Sequence, residues 1–192
     1  MKLKILSSIF ILSLIFISCN KSKTASDTMY TKAILNINVD YEKQEGPGSN
    51  QWAIWIEDPQ GYLVKTIFVT AFTADGGYIP RPACTPVWVS KADPSSLSGA
   101  SIDAFSGATP ASGLLTYKWD LTDNDGTPVD NGEYAFVVES TLFGDSEAIF
   151  KAPFTVGNKE MKISTKPVYS SDEEKNKEMI KSVNAEYVLV KK

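Results

Sequence analysis

The feature that most constrains the fold of this chain is a two-residue repeat of apolar side chains. Leu35, Ile37 and Val39 alternate with polar residues, and the segments around Trp119, Phe136 and Tyr187 repeat the pattern. A period of two predicts strands with one buried face, because a helical face would repeat about every 3.6 residues. About eight such strands separated by turn residues favour an all-β sandwich of immunoglobulin-like or fibronectin-like type.

Two segments are apolar on both sides. Trp52 to Ile56 and Tyr62 to Phe72 are joined by a tight turn at Asp58–Gly61, which predicts a hairpin in the middle of the sandwich. The chain from Thr73 to Ser112 has no sustained period and contains several prolines, which cannot donate to a β-ladder. We therefore expect a long Pro-rich excursion over one end of the sandwich, with a short edge strand.

The N-terminus has the pattern of a secretion signal. Lys2 and Lys4 precede an apolar run from Ile5 to Ile17, and Ser18 and Cys19 follow. Phe16 to Cys19 resembles a bacterial lipobox, which implies a signal peptide over 1–18, a lipid on Cys19, a tether over 19–29 and a single domain over 30–192. The protein would then be held on a bacterial membrane, facing the periplasm or the cell surface. The alternative is an ordinary exported protein whose cysteine falls at the cut by chance.

Composition excludes several classes of function. The chain contains no histidine, which removes Ser-His-Asp and Cys-His catalysis and the commonest zinc ligand. The formal net charge is −4 without a basic cluster, which argues against nucleic-acid binding. With Cys19 lipidated, Cys84 has no disulfide partner, and we expect it to be a buried side chain and not a nucleophile. Glu57 and Asp58 are neighbours on a strand and face opposite ways, so no hydrolase is predicted and we expect a protein that is not an enzyme.

The acidic turn from Asp120 to Gly132 raises the question of calcium. Placing Gly126 at the sixth position of an EF-hand loop puts Leu121 at position 1 and Gly132 at position 12, where oxygen ligands are needed. A tight turn in which Asp and Asn bind their own backbone explains the same residues. We therefore predict no metal site here.

The second half of the chain carries a family resemblance. Trp119-Asp120, then Asp123-Asn124-Asp125-Gly126, then Asn131-Gly132-Glu133-Tyr134 resembles the strand-turn-strand signature of the immunoglobulin-like domain of flagellar hook-capping proteins. Taken over Trp52 to Val190, the chain most resembles the domain of unknown function 2271 family of predicted periplasmic proteins. That resemblance implies a β-sandwich in the cell envelope, often encoded near flavin transferases and redox-associated membrane proteins.

One loop resembles a modification motif. Asp103 to Thr109, reading DAFSGAT, resembles the D-x-x-(S/T)-G-A-T motif of proteins that receive FMN covalently from a flavin transferase. The resemblance implies that the Thr109 hydroxyl is the acceptor and that Ser106, Gly107, Ala108 and Asp103 form the rest of the site. Gly107 and Ala108 are small enough to admit an incoming phosphoryl group. We expect Trp88, Tyr78 and Phe105 to be available for stacking on the flavin ring.

Two readings of this loop and of the protein stay open. Pro110 and Ala111 follow the motif where acceptor domains usually have another Ser or Thr and a helix, so residues 106–112 also fit an ordinary loop before the Leu114 strand. The first hypothesis is an envelope flavin or redox protein that carries FMN on Thr109 or docks to the transferase or to redox partners. The alternative is an interaction or adaptor module without a cofactor, which presents the Thr73 to Ser112 excursion to a partner.

Overall fold

A computed structural model of the chain describes residues 30–46, 49–142, 146–170 and 174–191. The predicted signal peptide, Cys19 and the tether lie outside the described residues. The described residues form two β-sheets that face each other, so the prediction of an all-β sandwich is confirmed.

The smaller sheet has four strands. They are β1 (Tyr30–Tyr41), β5 (Gly113–Trp119), β8 (Met161–Ser164) and β10 (Ile180–Lys191). Their order is β5-β1-β10-β8, and every neighbouring pair is antiparallel. The side chains of β1 alternate between buried and half-buried positions from Ala33 onward, as the two-residue repeat predicts.

The larger sheet has six strands in the order β4-β3-β2-β6-β7-β9. They are β2 (Gln51–Glu57), β3 (Leu63–Thr70), β4 (Ser106–Gly107), β6 (Gly132–Thr141), β7 (Glu147–Val156) and β9 (Pro167–Tyr169). All pairs are antiparallel except β3 with β4, which is parallel. The predicted edge strand is therefore present as β4, and the predicted hairpin is β2 with β3.

The main core lies between the sheets. Tyr41 from β1 stacks on Trp52 from β2 with 5.6 Å between ring centroids, and Trp52 meets Tyr117 edge to face at 5.4 Å. Offset and edge-to-face contacts of this kind add to the free energy gained from burying the rings. With no disulfide among the described residues, these aromatic contacts and the aliphatic rows around them hold the two layers together.

The excursion covers the outer face of the larger sheet, not an end of the sandwich as the sequence led us to expect. It contains α1 (Pro86–Ala92), α2 (Gly99–Asp103) and short helical turns at Thr73–Gly77 and Pro94–Ser96. Trp88 of α1 is fully buried in a second apolar cluster together with Trp55, Val69 and Val137 of the sheet. Because β2 is apolar on both faces, a second layer has to cover the face that points away from the smaller sheet.

Strand register defines the two ends of the sandwich. In the β1–β5 pair, Tyr41 lies opposite Gly113 and Leu35 lies opposite Trp119. We call these the Gly113 end and the Trp119 end. The chain enters β1 at the Trp119 end, and β1 runs 12 residues, roughly 36 Å, to the Gly113 end.

A third short helix, α3 (Glu174–Met179), precedes β10. Within the described ranges, the helices are all too short or too polar to cross a bilayer.

Candidate functional site

The motif loop connects the two sheets at the Gly113 end. Asp103 is the last residue of α2 and is exposed, and Ser106 and Gly107 pair with Val69 and Thr70 as β4. Residues 108–112 then cross to β5 in the other sheet, without regular secondary structure. Ala108 and Thr109 are exposed in this crossing, so the predicted acceptor residue lies at the surface, at the edge of the sandwich.

Close packing accounts for a glycine at position 107, which the motif alone does not reveal. A Cβ at this position would lie 2.8 Å from Cε2 of Phe68. The Phe68 ring is itself held by Trp52 and Tyr117, with centroids 4.9 Å and 5.0 Å away. Glycine therefore allows β4 to lie close against a ring that has little room to move.

The segment before the loop is fixed on its inner side. Ser98 caps α2 by accepting a hydrogen bond from the Ser101 backbone N–H at 3.1 Å, and Ile102 is buried beneath the helix. The Val69 N–H donates to the Phe105 carbonyl at 3.0 Å, which ties the start of the loop to β3. The segment from Asp103 to Thr109 is therefore held on its inner side, whereas Asp103 and Thr109 are exposed.

The expected ring-stacking residues are only partly available. Trp88 is fully buried and meets Phe105 edge to face at 5.9 Å, so Trp88 cannot stack on a bound flavin. Phe105 and Tyr78 are half-buried. The expectation for Trp88 is wrong because the excursion folds inward over the sheet, a tertiary contact that its local sequence does not indicate.

The described residues fit an exposed phosphoester better than an enclosed flavin. Thr109 is an exposed residue, as an attachment point for a phosphoryl group requires. A cleft of about 800 Å³ lies at the Trp119 end, between Lys32, Asp120, Val129 and Tyr187. It is the length of β5 away from Thr109, roughly 20 Å, so a flavin joined to Thr109 would lie on the surface at the Gly113 end.

A buried carboxyl group that the sequence analysis missed fastens the excursion to the sheet. Glu139 on β6 is fully buried, and its two carboxyl oxygens accept hydrogen bonds from the backbone N–H groups of Val87 at 2.9 Å and Trp88 at 2.8 Å. These two donors lie in the first turn of α1, where helix N–H groups lack partners within the helix. The signal in the sequence was a single charged residue inside the apolar run AFVVES.

Glu139 also interacts with a second carboxyl group. Burial and, to a smaller extent, the neighbouring carboxyl of Glu147 together raise the pKa of Glu139 to about 8, against the lowering effect of the two backbone donors. One carboxyl oxygen of Glu147 is buried without a hydrogen-bond partner among the described residues. A proton shared between the two carboxyl groups would satisfy that oxygen and relieve their repulsion.

The pKa of Glu57 is shifted in the opposite direction to that of Glu139. It is buried at the end of β2 and binds Lys151 at 2.5 Å, Lys91 at 3.1 Å and the Trp55 indole N–H at 2.8 Å. Burial alone would raise the pKa of Glu57, but these partners outweigh it and the pKa lies below its ordinary value. Lys91 belongs to α1, so this carboxylate is a second polar fastening between the sheet and the excursion.

The acidic turn is explained by its own backbone. One Asp123 carboxyl oxygen accepts hydrogen bonds from the N–H groups of Asp125 and Thr127, each at 2.9 Å, and Gly126 has a positive φ of 81°. The Asn124 side chain accepts from the Thr66 N–H at 3.1 Å, which anchors the turn on β3. Within the described part of the chain, no group of three or more His, Cys, Asp or Glu is arranged to hold a metal ion.

Cys84 lies in the excursion and is buried. Burial raises the pKa of its thiol, and the nearby charge of Arg81 and a hydrogen bond with Thr73 only partly offset that effect. A thiol with a raised pKa carries little thiolate at neutral pH, so the side chain is poorly suited to nucleophilic chemistry.

Fold and motif together define an all-β sandwich protein with a solvent-exposed loop at one end. The chain belongs to the family described as predicted periplasmic protein, domain of unknown function 2271, whose sequence profile matches residues 35–171. This membership confirms the principal resemblance drawn from the sequence. Neither a curated protein nor a solved structure matches the chain significantly. The likenesses to a hook-capping domain and to a flavin-acceptor motif stay predictions.

Proposed function

We propose that this periplasmic protein is a lipid-anchored carrier of FMN, with the flavin joined covalently to Thr109. The observation that supports the proposal best is the exposure of Thr109 in the sheet-to-sheet crossing, within the motif DAFSGAT. A transferase must bring a large substrate to this hydroxyl, and a surface loop at the edge of the sandwich permits that approach.

The transfer is a phosphoryl-group substitution. Thr109 Oγ attacks the flavin-side phosphorus of a flavin dinucleotide, and a new O–P bond forms while the pyrophosphate P–O bond breaks. A nucleoside monophosphate leaves, and the hydroxyl proton passes to a base of the transferase. The side chain of Ala108 is small and exposed beside Thr109, which keeps that flank of the acceptor open for in-line attack. The attached flavin supplies redox chemistry, and this chain positions it.

The topology suggests how the anchored protein would stand. Cys19 precedes Tyr30, and Tyr30 begins β1 at the Trp119 end. A lipid on Cys19 would hold that end nearest the membrane, and the Thr109 loop would lie beyond the length of β1, roughly 36 Å further out. A transferase or a redox partner in the periplasm would then reach the flavin without approaching the bilayer.

The test is co-expression with a flavin transferase, followed by denaturing electrophoresis and whole-protein mass measurement. We expect a fluorescent band and a mass increase of one FMN less one water, both abolished by Thr109→Ala. Thr127→Ala is the matched control, because Thr127 is an exposed threonine in the turn at the opposite end. A dark wild-type band beside a fluorescent known acceptor would refute the proposal.

The lipid anchor is tested separately. Full-length protein from its host should partition into the detergent phase of a Triton X-114 separation, and Cys19→Ser should move it to the aqueous phase. If the mature chain has the mass of the unmodified protein, the lipid anchor is contradicted and the protein is exported without one.

A cofactor-free adaptor is the second candidate, and exposed apolar residues on two edge strands favour it. Leu114 of β5 is 71% exposed and Val168 of β9 is 69% exposed. Edge strands with apolar side chains are suited to pairing with another chain. If this candidate is correct, Leu114→Lys weakens a purified partner complex and Thr109→Ala leaves it unchanged.

A further inference from the structure

Exposed apolar side chains lie directly after β3, in the segment that begins the excursion. Phe72 is 42% exposed and Ile79 is 73% exposed. Both belong to the irregular helical turn around Thr73–Gly77 or to the residues on either side of it. Neither side chain belongs to the two buried apolar clusters, so neither is needed to fill the core.

Strand pairing brings this segment next to the motif loop. Thr70 lies opposite Gly107 in the parallel β3–β4 pair. Phe72 follows Thr70 by two residues, and Thr109 follows Gly107 by two residues. Both segments therefore begin at the same pair of neighbouring residues, Thr70 and Gly107, and start at the same end of the sandwich. Partners in a sheet are about 5 Å apart, so both segments start from closely neighbouring positions.

A cation lies on the exposed phenyl ring. The guanidinium carbon of Arg81 is 5.1 Å from the centroid of the Phe72 ring, within the range of a cation–π contact. Gly77 supports the ring from the backbone side, since a side chain at that position would collide with it. The guanidinium thus lies over the ring, and both residues are exposed, so the pair presents an apolar part and a positively charged part to solvent.

We infer that Phe72, Ile79 and Arg81 form the docking surface for the isoalloxazine ring of FMN carried by Thr109. We call these three residues the Phe72 patch. The inference rests on the proposed attachment at Thr109. The Phe72 patch would hold the flavin ring on the outside of the sandwich. Trp88 cannot hold it there because Trp88 is buried.

The chemistry of the patch suits this ligand. Isoalloxazine is a flat aromatic ring system, and Phe72 and Ile79 offer apolar surface for it, while a guanidinium stacks well on aromatic faces. FMN joined to a threonine keeps one negative charge on its phosphodiester, and Arg81 supplies the opposite charge. An enclosed pocket would shield the ring further from solvent, whereas this surface leaves it within reach of a redox partner.

The test uses the flavin-loaded protein and its quenching by acrylamide. Acrylamide is neutral, so loss of the Arg81 charge does not change its local concentration. We expect the native wild-type protein to show a smaller quenching constant than the same protein denatured. Phe72→Ala and Arg81→Gln should each lower the ratio of docked to free flavin by roughly two- to tenfold, and so raise the quenching constant of the native protein.

Two further variants control the measurement. Tyr62→Ala removes an aromatic ring that is 71% exposed in the hairpin turn at the opposite end, and it should leave the quenching constant unchanged. Ile79→Ser serves if Phe72→Ala does not fold, because Ile79 is 73% exposed and its loss should disturb the fold less. Only loaded molecules fluoresce, so a variant with reduced loading still reports the position of its flavin.

The outcomes separate this inference from the proposed function. Covalent flavin with equal quenching constants in wild type, Phe72→Ala and Arg81→Gln would overturn the docking surface and leave attachment at Thr109 standing. Absence of covalent flavin beside a loaded control acceptor would overturn both. A rise in quenching confined to the three patch variants supports the inference.

Discussion

Replacing the motif glycine by alanine tests whether Gly107 serves the fold. The added methyl group would lie 2.8 Å from Cε2 of Phe68, closer than carbon atoms normally approach. The ring cannot simply move away, because Trp52 and Tyr117 pack against it. Overpacking of a core by one methyl group typically costs about 1–3 kcal/mol. For a domain of this size, such a loss lowers the melting temperature by roughly 2–12 °C.

Gly99→Ala is the matched control for this substitution. None of the described residues has an atom within 4 Å of a Cβ built at Gly99, and neither glycine needs a positive φ. Both substitutions gain about 0.4–1 kcal/mol from the reduced entropy of the unfolded chain, so their difference isolates the contact with Phe68. The assay is the free energy of unfolding in urea, measured with thermal melting for each purified variant.

A double-mutant cycle measures the interaction between positions 107 and 68 directly. In a Phe68→Leu background the ring edge is absent, and the cost of Gly107→Ala should fall towards that of Gly99→Ala. If Gly107→Ala is as stable as Gly99→Ala in the wild-type background, the close approach of β4 to Phe68 is not what selects glycine here.

Three other substitutions or measurements follow from the polar contacts. The pKa of Glu139 is raised on folding, so its carboxyl group makes stability fall as pH rises from about 4.5 to about 8. In Glu139→Gln, the urea midpoint should therefore vary less with pH across that range. Glu133 is exposed, and the control Glu133→Gln should keep the pH dependence of the wild type. Asp123→Ala removes two backbone hydrogen bonds in the acidic turn and should cost about 1–2 kcal/mol in urea unfolding, against almost nothing for Asp125→Ala. Cys84 should react with Ellman's reagent only as fast as the protein unfolds, and rapid labelling of the native protein would contradict its burial.

Two buried carboxyl groups between the excursion and the larger sheet have pKa values shifted in opposite directions. Glu139 and Glu57 both fasten the excursion to the outer face of the larger sheet, Glu139 through backbone N–H groups and Glu57 through two lysines. The contribution of Glu57 is present above its ordinary pKa and is lost as pH falls, whereas that of Glu139 weakens as pH rises. The excursion should therefore be held most firmly at mildly acidic pH.

The amino-acid sequence alone determined the strands, the turns and the class of fold. Alternation at Leu35, Ile37 and Val39 decides which face of β1 is buried, and it does so within a single strand. The acidic turn is just as local, because the Asp123 side chain binds backbone groups two and four residues further on. Features that depend on near neighbours in the chain can be predicted without knowing how the sheets meet.

Only the tertiary structure decided where the excursion lies and what surrounds the motif loop. Trp88 and Glu139 are 51 residues apart, and nothing near either residue in the sequence indicates that one binds the backbone of the other. The same holds for Gly107 and Phe68, which meet only because β4 pairs with β3. Such contacts follow from the way the layers close over each other, and that closure depends on the whole set of buried surfaces at once.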